Sequence, residues 1–390
     1  MRRALIARQL EAALRGSLQA PRLALLGLDG ERPKVDEERE PWIGVKYGPA
    51  GPDDWFGVVP AVARFERAPG VAAESFPLIV KVYPRDGMAR NFMPWIIEQA
   101  GISFDRPYWE YRQASEFDRT AGREPHVYLS LADRTPSLSA VLPGCYGGGA
   151  DETTGERALF LELVTDIGML DAGADTAAWS AAEIDDVLRA LAGWQAAFWG
   201  ADSRRLAWAG PQLTTADMIA DTPLWRGIID DGRKRQPHIM TEEVWRRRSR
   251  LIDTIGDWHA VKDTLPSTLA HGDFNLRNVG FNRGVLVLDW ELAQRNSAHR
   301  DLVEFLTFAL PPTVERPQVD RHVETQRAAL VAAGVTTGVD RDAWLEGFRC
   351  ELKVEALNRA GLQLLFGAKF PLPYVARMNA TIERLLDLYG

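Results

Sequence analysis

The chain of 390 residues is long enough for two compact lobes, and its 46% hydrophobic and 26% charged residues are typical of a globular protein. A formal net charge of -8 argues against the broadly basic face that nucleic-acid binding requires. No apolar run approaches the roughly 20 residues that span a bilayer, and the two distant cysteines form neither a disulfide framework nor a zinc motif. We therefore expect a cytoplasmic protein with no nucleic-acid or membrane partner, and the oligomeric state stays open.

The first twenty residues predict an amphipathic helix that packs on the protein. Leu5, Ile6, Leu10 and Leu14 recur near helical spacing. Glu11 interrupts the continuous apolar core that a targeting segment would need. The arginines of the first twenty residues therefore do not indicate a targeting peptide.

The stretch from residue 41 to residue 84 has the composition of β-structure. We predict strands at Trp42–Tyr47, Val58–Phe65 and Pro77–Tyr83. Gly48–Gly57 is a turn-rich connection between the first two strands. Because no helical pattern separates these strands, they predict an antiparallel sheet.

The next stretch mixes one helix with further strands. The helix is predicted at Pro107–Thr120, and strands are predicted at Val127–Leu129 and Ala158–Leu161. The glycine-rich segment Gly144–Gly155 is predicted to be a surface loop and not a phosphate cradle.

The second half of the chain has helical patterning. Ser180 and Glu183 form a capping box that opens an apolar run at helical spacing. Further helices are predicted at Thr241–Ile255, Asp340–Leu357 and Tyr374–Leu388. A β-rich first domain, residues 1–163, followed by a helical second domain, residues 164–390, predicts an α+β protein.

The strongest functional signal is the segment HGDFNLRN at residues 271–278, followed by the apolar run VLVL and then DWE at residues 289–291. Phosphoryl transfer needs one carboxylate to orient and deprotonate the attacking hydroxyl. It also needs an amide oxygen and a second carboxylate to hold Mg²⁺ against the phosphates. Asp273, Asn278 and Asp289 supply these three groups in that order.

The segment from His271 to Glu291 resembles the aminoglycoside phosphotransferase and choline kinase-like superfamily. Members of that superfamily share the bilobal protein-kinase fold and phosphorylate small molecules. The resemblance implies that Asp273 is the catalytic base, that Asn278 and Asp289 bind Mg²⁺, and that ATP or GTP is the donor.

Other residues in and after the motif either have a supporting role in the family or differ from its classical members. The resemblance implies that His271 supports the catalytic loop and that Asp301 caps the next helix and bonds to that loop. Asn275 and the pair Leu276–Arg277 differ from the classical aminoglycoside kinases. The chain is thus more similar to the ecdysteroid kinase-like and less-studied members.

Lys81 is the one cation in the apolar strand Leu78–Val82. A buried ammonium needs an anion, and a nucleotide phosphate is one such anion. In the family this lysine also pairs with a glutamate on a helix. Glu110 aligns better with that glutamate than Glu116 does, and both residues remain candidates.

The segment Leu159–Val164 is the predicted connection between the lobes. The resemblance implies that Glu162 and Val164 belong to the nucleotide-binding residues. The family's phosphate-covering hairpin falls at Gly48–Gly57, where the sequence contains no G-x-G-x-x-G motif.

These observations predict a Mg²⁺-dependent O-phosphotransferase that acts on a small hydroxylated acceptor, either antibiotic-like or another polyol. A choline-type or sugar-type metabolite kinase is one alternative. A nucleotide-binding pseudokinase without transfer activity is another. A protein kinase does not fit, because Asp289 is followed by Trp-Glu and the next apolar helix starts too soon for a long activation segment.

Overall fold

A computed structural model describes residues 1–30, 54–84, 92–99, 101–169, 178–369 and 372–390. The chain divides into two compact units. The first contains residues 1–92 and 119–166, and the second contains residues 93–118 and 167–390. The strand predicted at Trp42–Tyr47 lies outside the described residues, as does most of the loop Gly48–Gly57.

The first unit is built on an antiparallel sheet of five strands in the order β1-β2-β3-β5-β4. The strands are β1 (Ala24–Gly30), β2 (Gly57–Glu66), β3 (Glu74–Tyr83), β4 (Cys145–Ala150) and β5 (Arg157–Glu162). The predicted antiparallel sheet is confirmed. The strand β1 escaped prediction because Leu28 is its only fully buried residue, so its sequence has little alternation.

The helix Arg3–Ser17 packs its apolar stripe into the core of this unit, as its spacing predicts. Ile6, Leu10 and Leu14 are fully buried and belong to one hydrophobic cluster with residues of the sheet such as Val80 and Phe160. Burying an aliphatic side chain stabilises the fold by about 1.5–3 kcal/mol, so this stripe holds the helix on the sheet.

The helix also explains why a glycine-rich segment forms β4 instead of the predicted surface loop. A Cβ atom at Gly149 would lie 2.4 Å from the side chain of Gln9, and one at Gly147 would lie 2.7 Å from Ala13. Only glycine lets the helix approach the strand this closely.

The helix predicted at Pro107–Thr120 is wrong in detail. The chain forms two 3-10 turns, Tyr108–Glu110 and Arg112–Phe117, and the α-helix Thr120–His126 begins only afterwards. The reason is that the Asp221 carboxylate accepts hydrogen bonds from the backbone N–H groups of Arg112 (2.9 Å) and Gln113 (2.6 Å).

The strand predicted at Val127–Leu129 is also wrong. These residues continue the preceding helix as the π-helical turn Val127–Leu131. Val127 and Tyr128 are buried, so their apolar and β-branched character reflects packing and not strand formation.

The second unit is mainly helical. The capping box of Ser180 and Glu183 is confirmed. Among the described residues, the α-helices of this unit with at least six residues are Met93–Gln99, Ala181–Ala197, Thr215–Ala220, Thr222–Arg235, Glu242–Asp253, His299–Ala309, Arg316–Ala332, Arg341–Leu357, Arg359–Lys369 and Tyr374–Tyr389. Shorter α-helices in the described part of the chain are Pro136–Ser139 in the first unit and Ile255–Trp258 and Ala260–Thr264 in the second.

Two small antiparallel pairs complete the second unit. The strand β6 (Ser267–Ala270) pairs with β9 (Gln294–Ser297), and β7 (Val279–Phe281) pairs with β8 (Val285–Val287). The α+β class is thus confirmed. No helix among the described residues is both long and apolar enough to cross a membrane.

The segment 93–118 packs with the second unit, whereas the sequence-based division placed it in the first. Besides the Asp221 contacts, the side-chain amide of Gln113 donates a hydrogen bond to Asn358 Oδ1 at 3.2 Å. These partners lie more than 100 residues away in sequence, so local patterning gives no sign of them.

Candidate active site

The loop that follows β6 is fixed by the buried carboxylate of Asp301. Its two oxygens accept hydrogen bonds from the backbone N–H groups of His271 (2.7 Å) and Gly272 (3.0 Å). Burial raises the pKa of Asp301, while His271 and these two hydrogen bonds oppose the rise. The prediction that Asp301 bonds to the catalytic loop is confirmed.

Gly272 has a left-handed backbone with φ +83°, and a Cβ atom there would lie 2.2 Å from the carbonyl oxygen of Leu292. Glycine is required here for both reasons. His271 is buried as predicted, and its Nε2 donates to the Leu288 carbonyl at 2.9 Å while Nδ1 accepts from the Asp273 N–H at 3.2 Å. Burial lowers the pKa of His271, so the ring is the neutral Nε2–H tautomer.

An aromatic cluster packs against the catalytic loop. The ring of Phe274 lies 5.6 Å from Trp194 and 5.4 Å from Phe305, and Trp194 also packs 5.4 Å from Trp290. Aromatic pairs at these distances stabilise beyond their buried area. The Trp of the DWE segment is therefore a core residue that holds the loop and the segment after β8 together.

The carboxylate of Asp273 has different partners on its two oxygens. Oδ2 accepts a hydrogen bond from Asn278 Nδ2 at 2.8 Å. Oδ1 accepts from Asn275 Nδ2 at 3.0 Å and from Arg359 Nη2 at 2.5 Å, and Arg277 Nη2 lies 3.7 Å away. Burial favours the neutral acid, but the guanidinium groups of Arg359 and Arg277 outweigh it and hold the pKa of Asp273 well below its usual range. Asp273 is therefore ionised at neutral pH.

The hairpin of β7 and β8 brings Asn278 and Asp289 to the same end. Val279 pairs with Val287, and the Leu288 N–H donates to the Asn278 carbonyl at 2.8 Å, so Asp289 is the next residue beyond this bond. Asp289 has a left-handed backbone with φ 64°, which is uncommon for a residue with a side chain and is frequent at functional sites.

A buried network of ions lies next to Asp273, and sequence reasoning missed its arginines. Arg300 contacts Glu304 at 3.1 Å and Glu355 at 3.0 Å, and Arg359 lies 3.6 Å from Glu304. Burial raises the pKa of Glu355 to about 8, against the pull of Arg300. The one available signal was a pair of acids, Glu351 and Glu355, four residues apart on a helix whose other buried residues are apolar.

In the first unit, Lys81 lies on β3 and forms an ion pair with Glu124 of the helix Thr120–His126. Both side chains are mostly buried, with 13% and 1% exposed. The glutamate is therefore neither Glu110 nor Glu116, the two residues that the sequence analysis considered. It was missed because the α-helix begins thirteen residues later than predicted, at Thr120.

The two rejected glutamates belong to the second unit. Glu110 is exposed in its 3-10 turn. Glu116 accepts hydrogen bonds from the side-chain amides of Asn358 (2.9 Å) and Gln113 (3.3 Å). Glu116 thus serves to hold its own segment against the C-terminal helices.

Glu162 and Val164 lie at the end of the sheet in the first unit. Glu162 is the last residue of β5, and its carboxylate accepts a hydrogen bond from the Gly144 N–H at 3.1 Å, which fixes the chain just before β4. Val164 follows in a non-regular, partly buried stretch.

The sequence model of the phosphotransferase enzyme family matches residues 78–337, more than half of the chain. A search of curated proteins found no match. Among solved structures, a glucosamine kinase is 14% identical over 91% of this chain and 96% of its own, with a TM-score of 0.46. The choline kinase LicA from Streptococcus pneumoniae is 10% identical over 97% and 99%, with a TM-score of 0.46. The GDP complex of aminoglycoside 2'-phosphotransferase-IIIa is 11% identical over 93% and 98%, with a TM-score of 0.40.

The chain belongs to the phosphotransferase enzyme family. It has an α+β fold, with a five-stranded antiparallel sheet in the first unit and a mainly helical second unit. As a member of that family, it is a phosphotransferase.

Proposed function

We propose that the chain transfers the γ-phosphate of ATP or GTP, with Mg²⁺, to a hydroxyl of a small acceptor, either an antibiotic-like molecule or another polyol. The observation that carries this proposal is the position of Asp273. Its ionised carboxylate accepts a hydrogen bond from Asn278. In the β7–β8 hairpin, Leu288 bonds to the Asn278 carbonyl, and Asp289 is the next residue.

In this reaction Asp273 orients the acceptor hydroxyl toward the γ-phosphorus and receives its proton. A bond forms between the acceptor oxygen and the γ-phosphorus, and the bond from that phosphorus to the bridging oxygen of the β-phosphate breaks. A nucleoside diphosphate leaves. Because the pKa of Asp273 is low, it is a weak base, and orientation is its main contribution.

The residues around Asn278 fit a magnesium ion. The side-chain N–H groups of Asn278 donate to the Asp273 carbonyl and carboxylate, both at 2.8 Å, which leaves its amide oxygen for a metal. Among the described residues, no group of three or more His, Cys, Asp or Glu side chains is arranged to hold a metal ion. Mg²⁺ is usually bound by one or two protein oxygens, and water and phosphate oxygens complete its coordination shell. The ion would neutralise phosphate charge at this position. Asn278 and Asp289 are the ligands that we propose.

On the first unit we assign nucleotide binding to Lys81, Glu162 and Val164. The ammonium of Lys81 would contact phosphate oxygens, and its ion pair with Glu124 supports this role by fixing the side chain. A nucleoside triphosphate donor also favours the cytoplasm as the compartment, and the free thiols of Cys145 and Cys350 are consistent with it.

The proposal is tested by incubating the protein with Mg²⁺ and ATP or GTP against a collection of hydroxylated metabolites and antibiotics, including choline and sugars. Mass spectrometry of the small molecules reads phosphate transfer. We expect at least one small molecule to gain a phosphate and the gain to vanish when Mg²⁺ is chelated. Transfer to protein hydroxyls alone, with no small molecule phosphorylated, would contradict the proposal.

A further inference from the structure

We propose that the acceptor carries an anionic group, a carboxylate or a phosphate, and that Arg277 binds it next to the reacting hydroxyl. This inference rests on the proposed function and narrows its acceptor class. It follows from three features of the second unit: the different partners of the two Asp273 carboxylate oxygens, the fixed position of Arg277, and the ion pairs of the nearby acids.

The carboxylate of Asp273 separates two chemical environments. Its Oδ2 faces Asn278, the proposed metal ligand. Its Oδ1 faces Arg359 at 2.5 Å and Arg277 at 3.7 Å. The guanidinium groups therefore contact the oxygen that is turned away from Asn278, and we assign that side to the acceptor.

Arg277 is held in place like a binding residue and not like a free surface side chain. Its Nε donates to Asn275 Oδ1 at 3.1 Å. Its guanidinium carbon lies 5.0 Å from the ring centre of Tyr374 and 5.9 Å from that of Phe308. The side chain keeps 33% of its surface exposed, so its cation is both preorganised and accessible.

Four acids of the second unit are paired with basic side chains. Glu304 and Glu355 are each 1% exposed and contact Arg300. Glu351 is equally buried in an ion pair with Lys262. The exposed Glu346 lies 3.3 Å from Arg349. Each of these four acids thus has a basic side chain of its own as a partner.

Arg277 is a cation beside Oδ1 that stays partly exposed. A polyamine would meet a like charge there, whereas a carboxylate or phosphate would gain a charge-assisted hydrogen bond to a planar donor.

The test compares matched acceptors of similar size: gluconate, glucose 6-phosphate, glucose and glucosamine, within a wider collection of hydroxylated compounds sorted by charge. The readout is phosphate gain on the acceptor and its kcat/KM. We expect the phosphorylated compounds to be mainly anionic, and the two anionic arms show whether a carboxylate or a phosphate is preferred. Transfer concentrated among amines, or to no anionic member, overturns the inference.

Variants of Arg277 distinguish a loss of acceptor recognition from damage to the catalytic loop. Arg277→Gln should lower kcat/KM for anionic acceptors by roughly tenfold to a hundredfold, because a hydrogen bond to a charged group is lost. Because Arg277 also lies 3.7 Å from Asp273, kcat/KM for neutral acceptors should fall as well, but by less. The ratio of anionic to neutral kcat/KM should therefore fall, and Arg277→Lys should recover part of that ratio. The exposed Arg283 of the β7–β8 turn is the matched control, and Arg283→Gln should have no effect on either class.

An equal loss for all acceptor charges in Arg277→Gln would overturn the inference and leave the phosphotransferase proposal intact. A neutral or cationic acceptor as the sole product class would do the same. If no compound of any charge gains phosphate, the proposed function fails together with the inference.

Discussion

At the scale of single residues, Gly272 is the most constrained position of the catalytic loop. A Cβ atom there would lie 2.2 Å from a backbone oxygen at a φ of +83°. We expect Gly272→Ala to lower the free energy of unfolding by at least about 3 kcal/mol, since neither strain nor clash can relax. Gly334 has a φ of +93° but nothing within 4 Å of its Cβ position, so Gly334→Ala should cost only about 1–2 kcal/mol. Urea unfolding measures both, and equal losses would show that the clash at Gly272 is unimportant.

Single residues also show which parts of the site the sequence could reveal. Asp273, Asn278 and Asp289 were identifiable because they lie within one short segment with a recognisable order. Glu124 and Arg359 were not, because their partners Lys81 and Asp273 are 43 and 86 residues away. Side-chain pairs of this kind depend on tertiary packing, which no local spacing encodes.

At the scale of elements, the β7–β8 hairpin holds the two proposed metal ligands in register. Asp289→Ala should weaken Mg²⁺-nucleotide binding more than Asn278→Ala, since a carboxylate brings a full charge to a hard cation. Titration of Mg²⁺-dependent nucleotide binding measures the difference. Equal and mild effects of the two variants would count against the assignment of Asp289.

Elements with strong local signals were predictable and those shaped by distant contacts were not. The capping box at Ser180 and the apolar strand around Lys81 needed only their own sequence. By contrast, the Asp221 carboxylate captures the N–H groups of Arg112 and Gln113 and turns a predicted helix into 3-10 turns. The glycine-rich β4 became a strand because a helix from the N-terminal segment lies against it.

At the scale of the whole molecule, buried histidines make stability depend on pH. Burial lowers the pKa of His299 to about 4, against about 6.5 in an unfolded chain. The unfolded state therefore binds more protons between these values, so this contribution is present above about pH 6.5 and is lost as the pH falls toward 4. The loss is about 3 kcal/mol for one such histidine.

His299→Phe should remove that part of the pH dependence, because the new ring keeps the packing against Trp344, 4.0 Å away, and cannot be protonated. Unfolding free energies of both proteins at pH 7 and pH 4.5 provide the comparison. An unchanged difference between the two pH values would show that His299 does not contribute it.

The central claim, that Asp273 orients and accepts the proton of the acceptor hydroxyl, is tested most directly by Asp273→Ala. The measurement is acceptor phosphorylation together with nucleotide affinity, and Asp186→Ala, at an exposed aspartate that pairs only with its helix neighbour Arg189 at 2.6 Å, is the matched control. We predict that Asp273→Ala lowers turnover by roughly 100-fold or more while nucleotide affinity stays within a few-fold and the control is unaffected. Turnover within about tenfold of the parent enzyme would contradict this account of the site.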